Sequence, residues 1–125
     1  MEKNSLDILG QSLMKYVRDE TILTWDKMIE GDMKGVTAQK VEERLSNFSE
    51  EDLESVKWII SKIVDQGLHN LLAMFEECEE LFLGVKVDSG EIEDIKEESD
   101  GLSGELYTED GWITKFSKQR YDEEV

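Results

Sequence analysis

The sequence predicts a single α+β domain over residues 1–125, with three N-terminal helices packed on a small C-terminal antiparallel β-sheet. Three observations predict it. Up to residue 82, apolar residues recur at steps of three and four, the spacing of one helical face. From residue 83 the pattern changes to short apolar pairs separated by glycine-containing turns, the punctuation of strands. The chain has 125 residues, 38% of them apolar, and no proline. That is enough for one core and leaves no proline-rich linker to divide it. The helical part is expected over 4–82, the β part over 83–118 and a frayed acidic tail over 119–125.

The first helix starts at Asn4 or Ser5, either of which caps free amides with a side-chain oxygen. Leu6, Leu9, Leu13, Tyr16 and Val17 share one face. The phase slips over Arg18, Asp19, Glu20 and Thr21, then resumes with Ile22, Trp25, Met28 and Ile29. With no Gly or Pro at the slip, a continuous or kinked helix is favoured over a break. Gly31 and Gly35 end it. The second helix takes Thr37 as its cap, with Val36 packing on Val41 as a staple, and ends by Asn47.

The third helix has the strongest local signal. Ser49 is followed by Asp52 in an acidic capping box, flanked by Phe48 and Leu53 in staple positions. Glu50, Glu51 and Asp52 meet the positive end of the helix dipole. Leu53, Val56, Ile60, Ile63, Gly67, Leu71, Met74 and Cys78 make one row, with Ile59, Leu68, Leu72 and Phe75 beside it. A face that broad needs cover on two sides, so this is the expected central helix, with Leu71 in the core. Gly67 is expected as a close packing point or a kink.

Strands are then expected over 84–87, less clearly over 91–95, over 102–107 with Gly104 inside it, and over 112–116. Glu109-Asp110-Gly111 reads as a hairpin turn of the Asp-Gly kind.

Charge excludes whole classes of function. There are 14 basic against 31 acidic residues, for a net −17. A nucleic-acid binder working through a basic surface is excluded, as is polybasic attachment to anionic membranes. No apolar run approaches the ~18–20 residues of a membrane span. One cysteine cannot form an internal disulfide and one histidine cannot build an ordinary zinc site. A reducing, cytoplasmic location is expected, without cofactor or metal. Calcium loops fail on their frames. With Gly111 at the sixth position of an EF-hand loop, Leu106 is first and Ser117 twelfth; with Gly101 there, Lys96 is first and Tyr107 twelfth.

Two constellations remain. Asp65 and His69 are four residues apart and share a helix face, the spacing of a base with its orienter. A nucleophile would have to be Ser61 or Cys78, the latter nine residues on and too far along the helix to meet His69, and no second histidine completes a metal set. The other is electrostatic. Residues 1–75 hold 14 acids and 9 bases, net −5, whereas residues 76–125 hold 17 and 5, net −12. The more acidic part also carries Tyr107, Trp112 and Tyr121. Aromatics within a charged surface suit a protein interface.

The segment Ser99-Asp100-Gly101-Leu102-Ser103-Gly104-Glu105-Leu106-Tyr107, with Glu109-Asp110-Gly111-Trp112-Ile113 and Lys115-Phe116-Ser117, resembles the C-terminal part of small acidic bacterial proteins of uncharacterised or immunity-protein type. The resemblance carries no catalytic motif. It implies that an acidic protein binds and blocks a basic toxin.

The expected function is therefore that of a non-catalytic acidic binding protein for a basic protein partner, with Tyr107, Glu109, Asp110 and Trp112 as the recognition residues. A homodimer is compatible with the apolar surface. The alternatives are a nucleic-acid mimic that blocks a DNA-binding protein, and a small enzyme using Asp65 and His69.

Overall fold

A computed structural model describes residues 4–120. Asn4 is the first cap, its side-chain oxygen accepting the Asp7 N–H at 2.8 Å. Helix α1 (Ser5–Leu13) runs into a π-helical segment (Met14–Asp19) and on into α2 (Glu20–Ile29). The backbone stays right-handed helical through both junctions, at Leu13 and at Asp19. The rod is thus continuous, and the phase slip in the sequence has a structural counterpart. A π turn takes one more residue than an α turn. The extra residue rotates the later part so that Met14, Arg18 and Ile22 are all buried.

Helix α3 (Val36–Arg44) begins two residues earlier than a cap at Thr37 would place it. Gly35 stands at the cap with φ 122°, a left-handed conformation suited to glycine. Helix α4 (Glu50–Glu77) carries the full capping box, Ser49 Oγ accepting the Asp52 N–H at 3.1 Å and Asp52 accepting the Ser49 N–H at 3.2 Å. It runs unbroken through Gly67. Among the described residues a Cβ built at Gly67 would meet nothing within 4 Å, so this glycine is not a close packing point.

The α+β class holds, but the β part is smaller than the sequence implies. Strands β1 (Gly84–Lys86) and β2 (Ile92–Asp94) pair antiparallel, Val85 opposite Glu93, and form the whole sheet among the described residues. The expected strand at 102–107 is a 3₁₀ turn (Leu102–Leu106), and the one at 112–116 is a short helix, α6 (Trp112–Phe116). Burial explains both. Leu102 and Leu106 are buried while Gly104, which would share their face in a strand, is exposed; the adjacent Trp112 and Ile113 are buried together. Strand geometry would send neighbours to opposite faces. A single turn, α5 (Ile95–Glu98), follows β2 and buries Ile95.

The core gathers Met14, Leu68, Leu72, Ile95, Leu102, Leu106 and Trp112. Helix α4 packs against α2, the π segment and the 3₁₀ turn, while β1 packs against α1. Trp112 lies directly on Gly10; any Cβ there would collide with the indole ring. On α4 the row that turns inward is Leu68, Leu72 and their neighbours Val64 and Phe75. In the other row Leu53, Val56, Ile60 and Cys78 are half-buried, whereas Ile63 is 63% exposed and Leu71 39%. The expectation that Leu71 is core is therefore corrected. The two rows have the same sequence character, and the 3₁₀ turn and first rod cover only one of them.

Candidate interaction surface

Position 18 controls the best-connected polar site. Arg18 is 1% exposed and sits on the inner line of the π segment between Met14 and Ile22. Its Nε donates to Asp65 at 2.6 Å, and a second nitrogen reaches the same carboxylate at 3.4 Å. The remaining donors go to Ser117 Oγ at 2.7 Å and to the carbonyls of Gln119 and Arg120 at 2.5 and 2.6 Å. Ser117 in turn donates to Asp19 at 2.5 Å. Arg120 holds Asp26 with two bonds of 2.8 and 2.9 Å. Residues 117–120 are thus fastened to the first rod, so the expected frayed tail does not begin at 119. The rest of that tail, with Tyr121, lies outside the described residues. A buried arginine needs its donors matched, and its planar fork suits one carboxylate plus carbonyls.

This arrangement separates Asp65 from His69. The Asp65 carboxylate is engaged by Arg18, and the His69 ring lies 5.9 Å from that of Tyr107. His69 Nδ1 is buried without a hydrogen-bond partner among the described residues. The geometry does not assemble the base-and-orienter pair. Tyr107 is 40% exposed at the end of the 3₁₀ turn. Partial burial pushes its phenol above the ordinary tyrosine value, and the nearby Asp65 charge pushes the same way.

Of the four expected recognition residues, three reach the surface. Tyr107, Glu109 and Asp110 are exposed, whereas Trp112 is 2% exposed and belongs to the core. The turn between them explains the split. Thr108 takes φ 80°, and its carbonyl accepts the Gly111 N–H at 3.0 Å. A side chain at Gly111 would strike the Tyr107 carbonyl. This tight closure points Glu109 and Asp110 outward and feeds Trp112 inward.

The same end of the molecule collects further carboxylates. The 3₁₀ turn lies along the C-terminal part of α4, where Glu76 accepts the Ser103 N–H at 2.6 Å. Glu105 accepts from Ser99 at 3.1 Å. Residues 76–80 and 97–110 are thereby brought side by side. Residues 76–110 contain 14 acids and 2 bases, net −12. Among the described residues, the ion pairs take their carboxylates from elsewhere: Asp7, Asp19, Asp26, Glu30, Glu54 and Asp65. Ten of the 31 acids lie in these two stretches, and all but Glu76 and Glu105 of them are exposed to water.

A second acidic area surrounds a groove of about 460 Å³ between α2 and the start of α4. Ile29 and Leu53 line it with Glu30, Glu50, Glu51, Glu54 and Lys57. Lys57 pairs with Glu30 at 2.7 Å, and this bond holds the Glu30 carboxyl below its ordinary value while raising that of Lys57. Among the described residues, no group of three or more His, Cys, Asp or Glu side chains is placed to hold a metal ion, and no helix is long and apolar enough to cross a membrane.

Comparison with protein-family models, with curated proteins and with solved structures finds no match to this chain.

Proposed function

We propose that the protein is a non-catalytic binding protein that recognises a basic protein partner, as an immunity protein does a toxin. The observation that carries the reading is the acidic end. Carboxylates of 76–80 and 97–110 stand together there, outside the ion pairs of the fold, beside the exposed ring of Tyr107. A dense acidic surface speeds encounter with a basic protein and rejects acidic ones. A half-exposed aromatic at its edge supplies contact area for a short-range anchor.

The test is binding kinetics at two salt concentrations with the partner isolated from the native host. Glu109→Lys combined with Asp110→Lys is expected to slow association and flatten its salt dependence. Tyr107→Ala is expected to speed dissociation. Wild-type rates for both folded variants would remove this face from the interface.

A further inference from the structure

One broad apolar surface has no role in the acidic end or in the core. On α4, Ile59, Ile63, Leu71 and Met74 are 48%, 63%, 39% and 38% exposed. At 100° per residue, they fall within about 120° of the helix circumference. They leave roughly 350 Å² of apolar side chain in water, the size of patch that on a monomer is often functional. Gly67 lies in the middle of this stripe with open space where its Cβ would be. A mid-helix glycine weakens a helix, and here none of the described residues uses the room it leaves. It forms a notch able to receive a bulky side chain from outside.

The charge around the stripe identifies the occupant. Residues 55–75 contain a single carboxylate, Asp65, which Arg18 already holds, and two lysines, Lys57 paired with Glu30 and Lys62 lying over the Trp58 ring. Acids resume at both ends. Asp52 and Glu77 lie on the same face as the stripe, 25 residues and therefore about 37 Å apart along the axis. Glu50 and Glu51 reinforce one end, Glu79 and Glu80 the other. A second copy of this chain would fit poorly: antiparallel pairing brings Asp52 against Glu77, and parallel pairing brings each acidic end against its like. A cationic helix fits at both.

From this juxtaposition we infer that the outer face of α4 is a docking groove for an amphipathic helix of the basic partner, apolar in its middle turns and carrying Lys or Arg at both ends. The inference rests on the basic-partner reading and specifies a second contact surface for it. A row of three- and four-residue spacing along α4 suits a partner helix lying near 20° to its axis. That geometry keeps the two helices together long enough to reach both acidic ends.

The probe is a fluorescein-labelled 26-residue synthetic helix with leucines at three- and four-residue spacing and Lys or Arg in its first and last turns. A scrambled peptide of the same composition and one with glutamates at the ends are its controls. Anisotropy with the full-length protein should show the probe binding at least tenfold more tightly than either control. Ile63→Asp should weaken it at least tenfold, and Met74→Gln serves as the second variant should Ile63→Asp fail to fold. Equal binding of the scrambled peptide, or unchanged binding to both stripe variants, overturns the inference. So does a dimer in the ultracentrifuge that Ile63→Asp dissociates, because a second copy would then cover the stripe. Loss of probe binding in Glu109→Lys with Asp110→Lys, combined with full binding in the stripe variants, overturns the groove and leaves the basic-partner reading standing. Wild-type binding of the native partner by all of these variants overturns both.

Discussion

Arg18 and Asp65 meet at 2.6 Å across 47 residues of sequence, with the guanidinium 1% and the carboxylate 13% exposed. The pair joins the π segment to the middle of α4. It also sets the direction of the arginine fork, which places the remaining donors on Ser117, Gln119 and Arg120.

Arg18→Met should therefore destabilise by about 3–5 kcal/mol, because Asp65 is left as an uncompensated buried charge. Asp65→Asn should cost less, since the arginine keeps its serine and carbonyl acceptors. Urea unfolding gives both values. Hydrogen exchange at the Lys118 and Gln119 amides should accelerate most in the Arg18 variant, whose loss releases that segment.

Neighbouring leucines on α4 should behave differently. Leu72 is 1% exposed and Leu71 is 39% exposed. Leu72→Ala should cost about 2–5 kcal/mol, as for other buried leucines. Leu71→Ala should cost under about 1 kcal/mol, by the smaller area it removes from contact. Equal losses in a thermal melt would place both rows in the core.

Two glycine substitutions should have opposite signs. Gly67→Ala adds a methyl group in open space on a continuous helix, and should stabilise by about 0.5–1 kcal/mol. Gly10→Ala sets a methyl group against the Trp112 ring, and should destabilise by about 1–3 kcal/mol through overpacking. Near-ultraviolet circular dichroism should register the displaced indole in the second variant alone.

The Glu30–Lys57 bond should give a pH-dependent term. The Glu30 carboxyl is lowered, chiefly by its hydrogen bond to Lys57. Its contribution is complete above the ordinary glutamate value and is lost as pH falls through the lowered one. Lys57 is raised by the same bond, so its contribution is complete below the ordinary lysine value and is lost as pH rises through the raised one. Lys57→Ala should lower the melting temperature at neutral pH, and the gap to wild type should close on acidification. A gap of constant size would mean that Lys57 acts through its aliphatic stem.

What the sequence discloses and what it hides follow from the range of each interaction. The Ser49 and Asn4 caps are legible because partner and cap lie three residues apart. The phase slip announces the π segment for a similar reason. Arg18 is hidden, although it falls on the row of Met14 and Ile22, because its acceptors lie 47 to 102 residues away. The short elements after residue 100 are misread for another reason. Turn signals around Gly101 and Gly111 suggest a meander, and the four-residue step from Leu102 to Leu106 fits one face of a strand as well as one face of a helix. Of the four residues expected to recognise a partner, Glu109 and Asp110 have an exposure that is legible from turn chemistry. Nothing local separates the exposed Tyr107 from the buried Trp112. Similarly, the choice between the two apolar rows of α4 belongs to the elements that cover one of them.

The clasp on residues 117–120 also imposes a timetable on biosynthesis. A ribosome adding about 5–20 residues per second delivers Arg18 roughly 5–20 s before it delivers the carbonyls of Gln119 and Arg120, since they follow 101 and 102 residues later. Helices can form in that interval, because their bonds are local. Yet withdrawal of the guanidinium from water leaves it short of acceptors until those carbonyls exist. The nascent chain therefore holds its first rod loosely against α4 while the remainder is made, and tight closure awaits the segment around residue 120.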